Sequence, residues 1–296
     1  MLRSLLFAPG DSDKKMTKAS GIGADCVILD LEDSVAAQRK PVAREMVAEF
    51  LRGARTPGVK FYVRVNPLDS GLAQHDVAGV APAAPDGIVL PKANGPEDLR
   101  IVAHYLDVLE AEHGLPAGGI AILPVATETP AAVFGLGDYR HGVPRLSGIT
   151  WGAEDLGAAV GASANLDANK DWTMPYQTTR SLCLFAAHAS GVQAIDTVMA
   201  DFRDTDRLRV VCDEARRDGF TGKIAIHPAQ VPVINEAFSP SADELAHAQA
   251  VIDAFKANPD AGTLQLDGKM IDRPHLVQAE RIIAIAAQIA ALGQDA

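Results

Sequence analysis

The sequence has 296 residues, with 27 Lys and Arg against 38 Asp and Glu, giving a formal net charge of −11. Such an acidic chain is not expected to bind nucleic acid or an anionic membrane surface. Apolar residues make up 48%, but we expect neither a membrane span nor a secretory leader from their distribution. Cys26, Cys183 and Cys212 lack metal-like spacing and are expected to be reduced, as in a cytoplasmic protein.

Eight short apolar runs recur along the chain and are predicted to be strands. Each is almost continuously apolar rather than alternating, as in parallel strands that are covered on both faces. In chain order the runs are 4–10, 26–33, 60–67, 86–92, 120–128, 146–155, 192–198 and 222–228. Helical patterns separate them, and the clearest has Pro96 in its first turn and Gly114 as its stop.

This alternation predicts an α/β fold, a (β/α)8 TIM barrel with a C-terminal helical extension. The competing fold is an open doubly wound sheet, but no Gly-x-Gly-x-x-Gly motif follows the first strand. We predict a barrel catalytic domain over 1–235. Residues 236–296 then form an extension with a Ser-capped helix, a turn-rich segment and a final apolar-striped helix.

Ionisable residues stand where most of the predicted strands end, which is the edge where barrel enzymes carry their chemistry. These residues are Glu32, Asp33, Arg64, Lys92, Glu128, Glu154, Asp155, Asp196 and His227. Several carboxylates without clustered Cys or paired His favour a hard cation such as Mg²⁺. The run VILDLEDSV contains three acidic residues, Asp30, Glu32 and Asp33, at the end of its predicted strand. A divalent cation would offset the repulsion between their carboxylates. Arg64 would suit a substrate carboxylate or carbonyl.

The same residues also have structural interpretations, which the sequence leaves open. Asp33 or Ser34 could cap a helix after the second strand, and Asp155 could be a capping residue. Glu128 could simply start a helix that is capped by Thr127 or Thr129. Roles within the scaffold could explain Arg64, paired with Asp30 or Glu32, as well as Lys92 and His227.

Eight motifs, taken in order and spacing, carry a resemblance that runs along almost the whole chain. They are RSLLFAPG, VILDLEDSV, YVRVNP, GIVLPK, TETP, WGAEDL, KIAIHPAQV and DGKMIDRPH. The sequence resembles the citrate lyase beta-subunit-like proteins, which include malyl-CoA and citramalyl-CoA lyases within the HpcH/HpaI aldolase superfamily. The resemblance implies a Mg²⁺-dependent barrel that cleaves or forms the bond between a CoA-thioester enolate and a 2-oxo acid.

The resemblance also implies roles for individual residues. Glu128 and Asp155 match metal ligands, and Arg64 matches an arginine on the oxygen atoms of the substrate. Glu32 and Asp33 match an acidic pair that orients metal-bound water or the reacting group. Asp272 matches a catalytic aspartate that comes from a neighbouring subunit, so a homo-oligomer is expected, with a trimer as one form. Further substrate contacts are predicted for Glu128, Lys92, His227 and Pro228.

The start of the chain is locally basic, with Arg3, Lys14, Lys15 and Lys18 near the first strand and the following helix. This excess suits the phosphates of CoA, and we predict that Arg3 and Lys14 contact the substrate. A solvated helix face is the alternative interpretation.

The leading functional hypothesis is a carbon–carbon lyase that acts on a malyl-, citramalyl- or citryl-CoA type of compound. One alternative is the beta subunit of a citrate lyase complex, which would act on a thioester of an acyl-carrier protein. Others are a CoA-independent metal aldolase for hydroxy-oxo acids and a catalytically silent scaffold. We expect the segment 167–180 to set the pocket size that selects among glyoxylate, pyruvate and oxaloacetate.

Overall fold

A computed structural model describes residues 1–53 and 55–294, and eight parallel strands form its central sheet. The strands are β1 Ser4–Pro9, β2 Cys26–Asp30, β3 Lys60–Arg64, β4 Gly87–Leu90, β5 Ala121–Pro124, β6 Gly148–Thr150, β7 Gln193–Asp196 and β8 Gly222–Ala225. The strand order is β5-β4-β3-β2-β1-β8-β7-β6. Bridges Ile122–Leu146 and Val125–Thr150 join the two edges. The sheet is therefore a nearly closed barrel, and the TIM-barrel prediction is confirmed.

Nine α-helices of the described chain follow the strands and cover the barrel. They are α1 Asp13–Ser20, α2 Lys40–Arg52, α3 Ala73–Val80, α4 Pro96–His113, α5 Pro130–Gly135, α6 Ala153–Val160, α7 Met174–Ala189, α8 Thr205–Asp218 and α9 Gln230–Ala237. The helix predicted after Pro96 ends as expected at Gly114, whose φ of 66° is the left-handed conformation that glycine adopts readily. Within the described residues, no helix is both long and apolar enough to cross a bilayer.

Side chains of each strand alternate between the barrel interior and the surrounding helices. The interior cluster is Leu5, Cys26, Ile28, Tyr62, Val89, Leu123, Val125, Ile195 and Ile224. A larger apolar core lies between the strands and the helices. Cys26, Cys183 and Cys212 are all buried and unpaired, which agrees with their expected role as reduced core residues.

A buried ion pair joins α4 to the amino ends of β5 and β6. Glu110 accepts hydrogen bonds from both terminal nitrogens of Arg145 at 2.6 Å, and from the backbone N–H groups of Gly118 and Ile120 at 2.7 and 3.0 Å. Its side chain is 1% exposed. The Arg145 hydrogen bonds lower the pKa of Glu110 to about 2, although burial opposes this shift. Ionised Glu110 therefore stabilises the folded chain.

We expect Glu110→Gln to lower the free energy of unfolding at pH 7 by about 3 kcal/mol. Because the pKa is lowered on folding, this stabilisation is complete above the unfolded value near 4.5 and disappears as the pH falls toward 2. Urea unfolding of both proteins at pH 7 and pH 3 would measure it, with exposed Glu112→Gln as the control from the same helix. A difference of the same size at both pH values would contradict the assignment.

The C-terminal extension has a small core of its own. It contains α10 Ala242–Ala257, the antiparallel hairpin β9 Thr263–Leu266 and β10 Lys269–Asp272, and α11 Arg273–Gln294. Ser241 caps α10 in a capping box with Glu244, as its sequence suggested. Buried residues of the extension pack on one another, namely Ala248, Val251, Ile252, Phe255, Ile271 and Ala279. The helical extension is thus present, whereas the division into domains at 235/236 stays a prediction.

Candidate active site

Asp30 and Arg64 end neighbouring strands and form a buried two-pronged ion pair. Arg64 Nε and Nη2 donate to the two carboxylate oxygens of Asp30 at 2.7 and 2.8 Å. Asp30 also accepts from the backbone N–H groups of Glu32 and Ser34. Burial alone would raise the pKa of Asp30, but the Arg64 fork and these N–H groups lower it below its usual range. The scaffold pairing of Arg64 that the sequence left open is therefore present.

The third nitrogen of Arg64 faces two further carboxylates. Its Nη1 atom lies 3.0 Å from Glu32 Oε2 and 3.5 Å from Asp33 Oδ2. Asp33 is 62% exposed at the rim, and the first helical turn after β2 begins only at Ala37, so the capping interpretation of Asp33 or Ser34 is wrong. The guanidinium also stacks on Phe7, 4.5 Å from the ring centre. One edge of Arg64 is thus fixed by Asp30, and its remaining nitrogen points toward the acidic cluster.

Lys92 stands at the centre of this cluster and contacts three carboxylates. Its backbone N–H donates to Glu128 Oε2 at 2.5 Å, and its Nζ donates to Glu32 Oε1 at 2.7 Å. The same ammonium lies 3.4 Å from Asp155 Oδ1. The backbone at Lys92 has a φ of +51°, a left-handed conformation that is uncommon and strained outside glycine. The strand-end position of Lys92 was predicted, but its left-handed backbone depends on tertiary contacts that the sequence pattern could not show.

Glu128 is buried, and its position depends on Gly152, a glycine in the loop that follows β6. A Cβ atom added to Gly152 would lie 2.6 Å from Glu128 Cγ, so only glycine leaves room for this side chain. Thr129, one of the two threonines offered as a cap, caps α5 by accepting from the Ala132 N–H at 3.1 Å, and Glu128 lies before this helix. Burial raises the pKa of Glu128 to about 8, and the neighbouring carboxylates Asp155 and Glu32 add to the shift.

Asp155 lies in the first turn of α6 and faces the same cluster. The N-cap of this helix is Gly152 and carries no side-chain hydrogen bond, so the capping interpretation of Asp155 is wrong. The Asp155 side chain is 38% exposed, whereas Glu128 is buried. The carboxylate of Asp155 is therefore accessible to solvent, whereas that of Glu128 is enclosed by the protein.

The donor set fits a magnesium ion. Glu32 Oε2 is buried and, among the described residues, receives no well-directed hydrogen bond, although Arg64 Nη1 is only 3.0 Å away. The described chain holds no group of three or more His, Cys, Asp or Glu side chains arranged as a complete metal cage. Mg²⁺ does not need one, because one or two carboxylates suffice when water and substrate complete its six positions. Glu128 and Asp155 would be those two ligands.

Arg3 does not lie where the sequence analysis placed it. It precedes β1, so it lies at the amino end of the barrel, opposite the acidic cluster. Its Nε and Nη2 donate to the two oxygens of Asp25 at 2.8 and 2.7 Å, and Nη1 donates to Ser239 at 2.9 Å. The prediction that Arg3 binds substrate phosphate is therefore corrected, because its guanidinium is engaged in a structural ion pair.

The remaining predicted substrate contacts lie near the carboxyl end of the barrel. Lys14 is exposed on α1, which follows β1 directly. His227 follows β8, and its ring stacks on Phe202 with the ring centres 4.4 Å apart. Pro228 is half-buried in the turn that leads to α9. In the described chain no hydrogen bond joins these side chains to the acidic cluster, so their roles stay predictions.

Asp196 is the strand-end residue that turns away from the site. Its neighbour Ile195 belongs to the interior cluster, so Asp196 points outward to the helices, where it binds Lys223 at 3.0 Å. Lys170, Trp172 and Gln177, from the segment expected to size the substrate pocket, line a cavity on this outer side. Neither the outward direction of Asp196 nor the position of this segment was predicted from the sequence. The alternation of side chains within β7 could have indicated the direction of Asp196.

Asp272 ends β10 in the C-terminal extension. It is 34% exposed and hydrogen-bonds to His275 Nδ1 at 2.5 Å, which lowers the pKa of its carboxyl group. Within the described residues, no hydrogen bond or ion pair joins Asp272 to the barrel site. The isolated chain thus brings together Arg64, Glu32, Asp33, Lys92, Glu128 and Asp155, and leaves Asp272 outside.

A barrel with this acidic rim has counterparts among known families. Residues 3–228 match the HpcH/HpaI aldolase/citrate lyase family, and residues 177–290 match a family described as C–C bond lyase of the TIM-barrel fold. The protein is thus a carbon–carbon lyase of barrel type. It belongs to the HpcH/HpaI aldolase/citrate lyase family.

Relatives and solved structures match over nearly the whole chain. A (3S)-malyl-CoA thioesterase of Cereibacter sphaeroides is 34% identical over 98% of this chain and 96% of its own. The mitochondrial citramalyl-CoA lyase of Rattus norvegicus is 33% identical over 97% of this chain and 86% of its own. The crystal structure of CitE from Mycobacterium tuberculosis with magnesium, acetoacetate and coenzyme A has a TM-score of 0.78 at 30% identity, covering 96% of this chain and 98% of that one.

Proposed function

We propose that this protein is a Mg²⁺-dependent lyase for a 3-hydroxyacyl-CoA thioester of the malyl-, citramalyl- or citryl-CoA type. The products are an acyl-CoA and a 2-oxo acid, and the reverse condensation uses the same groups. The observation that carries the proposal is the cluster of Glu32, Glu128 and Asp155 around Lys92, with Arg64 beside it. The malyl-CoA and citramalyl-CoA relatives, and the CitE complex with magnesium and coenzyme A, support the substrate class.

Different residues of the cluster have different roles in cleavage. Glu128 and Asp155 hold the ion, and Lys92 keeps Glu32 and Asp155 in place through its two contacts. When bound, Mg²⁺ supplies a positive centre that polarises the oxygen atoms of the oxo-acid half. Arg64 Nη1 adds a fixed donor where negative charge develops on that half. Because Asp30 holds the other edge of Arg64, this donor needs little reorganisation during the reaction.

Cleavage also needs a base for the 3-hydroxyl proton and an acid for the departing enolate. A carboxylate can do both in turn when it lies within hydrogen-bond reach of the substrate. Glu32 and Asp33 are the acidic pair of the barrel, and Asp272 would join them from a neighbouring chain. The contact with His275 lowers the pKa of Asp272, so its carboxyl group is ionised, which is the form that can accept a proton.

The CoA half of the substrate would bind at the start of α1. Lys14 and Lys15 are exposed there, next to the carboxyl end of β1, and Lys18 is exposed in the last turn of the same helix. Three ammonium groups on a chain with a net charge of −11 form a local site for phosphate. With Arg3 removed from this set, the lysines alone carry the proposal.

Thioester hydrolysis is a second candidate activity, favoured by the malyl-CoA thioesterase relative. A substrate screen with mass-spectrometric product identification separates the two. Given malyl-CoA, a lyase releases acetyl-CoA and glyoxylate, whereas a thioesterase releases malate and free CoA. Mg²⁺-dependent release of an acyl-CoA and a 2-oxo acid from any compound in the screen would support the lyase. No CoA-thioester substrate in the presence of Mg²⁺ would contradict the proposal.

Arg64→Lys is expected to lower kcat at least about a hundredfold. A single ammonium cannot hold both oxygens of Asp30 and still present a donor toward Glu32, as the guanidinium does. Steady-state kinetics would measure the loss. Arg55→Lys is the matched control, because the hydrogen bonds of Arg55 go to the carbonyls of Leu51, Ala83 and Ala84 and its ion pair is with Asp86, none of which belongs to the acidic cluster. Unchanged kinetics in a folded Arg64→Lys protein would make Arg64 purely structural.

A further inference from the structure

Two neighbouring loops at the carboxyl rim of the barrel carry the two proposed metal ligands. Glu128 follows β5, and Asp155 lies in the first turn of α6, which begins directly after Gly152. The Glu128 side chain passes Gly152 closely, because a Cβ atom added there would lie 3.1 Å from Glu128 Oε1. The spacing of the two carboxylates therefore depends on where the backbone of Gly152 lies.

Gly152 has no side chain with which to fix this position. It is the N-cap of α6, where a polar side chain would normally hold the first turn of the helix. The space taken by Glu128 leaves room only for glycine, which restricts its own backbone less than any other residue. The position of Gly152 is therefore set by contacts from its neighbours.

Thr127 makes such a contact from the loop of the first ligand. Its Oγ1 atom accepts from the Gly152 N–H at 3.0 Å, and its hydroxyl donates to the Gly152 carbonyl at a longer 3.4 Å. Thr127 is 0% exposed. Since Thr127 directly precedes Glu128, one hydroxyl group joins the loop of the first ligand to the start of the helix that carries the second.

Trp151, the residue before Gly152, is anchored on the outer side of the barrel wall. Its Nε1 atom donates to Asp196 Oδ1 at 2.8 Å, and both residues are buried. Lys223 and Arg180 donate to the same carboxylate at 3.0 and 3.2 Å. Burial alone would raise the pKa of Asp196, but Lys223, Arg180 and Trp151 lower it, so the carboxylate is ionised. Hydrogen bonds to an ionised acceptor are the stronger ones, so this anchor is firm.

We propose that Thr127 and Trp151 are positioning residues of the metal site. They hold Gly152 from two sides and so set the spacing of Glu128 and Asp155. Both roles rest on the metal function proposed for these two carboxylates. Residues that orient metal ligands from outside the ligand set typically change metal affinity by about ten- to a hundredfold when they are replaced.

Thr127→Val removes the hydroxyl group and keeps the shape of the side chain. Titration calorimetry should show at least about tenfold weaker Mg²⁺ binding than in the unsubstituted protein. Thr127→Ser keeps a hydroxyl group and should keep most of the affinity. Thr179→Val is the matched control, because Thr179 is 4% exposed and its hydroxyl donates to the Pro175 carbonyl within α7 at 2.9 Å. Its Mg²⁺ affinity should be unchanged.

Trp151→Phe tests the outer anchor, because the indole N–H is lost and an aromatic ring remains. We expect at least about tenfold weaker Mg²⁺ binding here as well. Trp172→Phe is the control, since the Trp172 ring packs edge-on against Trp151 with the ring centres 5.0 Å apart. This change leaves the hydrogen bond from Trp151 to Asp196 in place, so the Mg²⁺ affinity should stay the same.

The unsubstituted protein and Glu128→Gln distinguish a failure of these positioning roles from a failure of the proposed function. Absence of Mg²⁺ binding to the unsubstituted protein would overturn both. If the unsubstituted protein binds Mg²⁺ more tightly than Glu128→Gln does, the metal assignment stands. Unchanged Mg²⁺ affinity in folded Thr127→Val or folded Trp151→Phe would then overturn the positioning roles alone. Equal weakening in Thr127→Val and Thr127→Ser would do the same, because the hydroxyl group would not be responsible.

Discussion

Replacing Glu128 by Gln is expected to abolish metal-dependent turnover, with a loss of at least about a thousandfold in kcat. Glutamine has nearly the same shape, so the space that Gly152 leaves for this side chain stays filled. The amide can still interact with the Lys92 backbone, but it cannot supply the negative charge that the proposed Mg²⁺ site requires. The expected loss therefore comes from metal binding and not from packing.

Two measurements besides activity separate this explanation from a folding defect. Titration calorimetry with Mg²⁺ should show binding to the unsubstituted protein and at least about tenfold weaker binding to Glu128→Gln, as for loss of one of two charged ligands. Thermal unfolding without metal should show that the variant is at least as stable, because a carboxyl group whose pKa is raised on folding destabilises the folded chain above its unfolded pKa of about 4.5, and the amide does not. Glu97→Gln, 82% exposed on α4, is the control. Full Mg²⁺-dependent activity in Glu128→Gln would contradict the metal assignment.

Much of the barrel and its acidic rim could be predicted from the sequence, for a physical reason. Parallel strands covered on both faces give almost continuous apolar runs, and all eight runs contain strands of the barrel. The carboxyl ends of such strands meet at one rim, so Glu32, Arg64, Lys92 and Glu128 could be expected to converge. The position of these four residues at successive strand ends was enough to predict that they lie close together.

The errors concern which end and which face of a strand a residue occupies. Arg3 stands directly before β1 and its partner Asp25 directly before β2, so both lie at the amino end. The position of Arg3 at the amino end could have been predicted from the sequence. The prediction instead gave more weight to the attraction between a basic cluster and phosphate. Asp196 ends its strand as predicted and still points outward, because one residue along a strand reverses the direction of the side chain. The left-handed backbone of Lys92 depends on tertiary contacts and had no signal in the sequence.

Asp272 is expected to act in the active site of a neighbouring chain, which makes the protein a homo-oligomer. The extension that carries Asp272 has its own apolar core. Met270 and Val277, on either side of Asp272 in the sequence, are each 64% exposed in the isolated chain. Apolar residues at such exposure around a polar group are what an interface would cover. Asp272→Ala alone should therefore lose most activity while leaving the barrel folded.

Mixing two inactive variants distinguishes a site shared between chains from a site within one chain. Asp272→Ala keeps an intact barrel, and Arg64→Ala keeps an intact Asp272. If they are unfolded and refolded together in equal amounts, about a quarter of the sites pair an intact barrel with an intact neighbouring Asp272, whatever the size of a cyclic oligomer. We expect activity near that fraction of the unsubstituted protein, whereas each variant refolded alone stays inactive.

A second mixture, of the unsubstituted protein with a chain carrying both substitutions, gives the matched control. If Asp272 acts on the neighbouring barrel, only about a quarter of all sites combine an intact barrel with an intact neighbour. If Asp272 folds over its own barrel, every unsubstituted chain keeps its site and about half of all sites stay active. Mass spectrometry of the intact oligomers establishes that the chains have mixed. Activity of one half here, with no recovery in the first mixture, would place Asp272 in its own chain and remove the reason to expect a shared site.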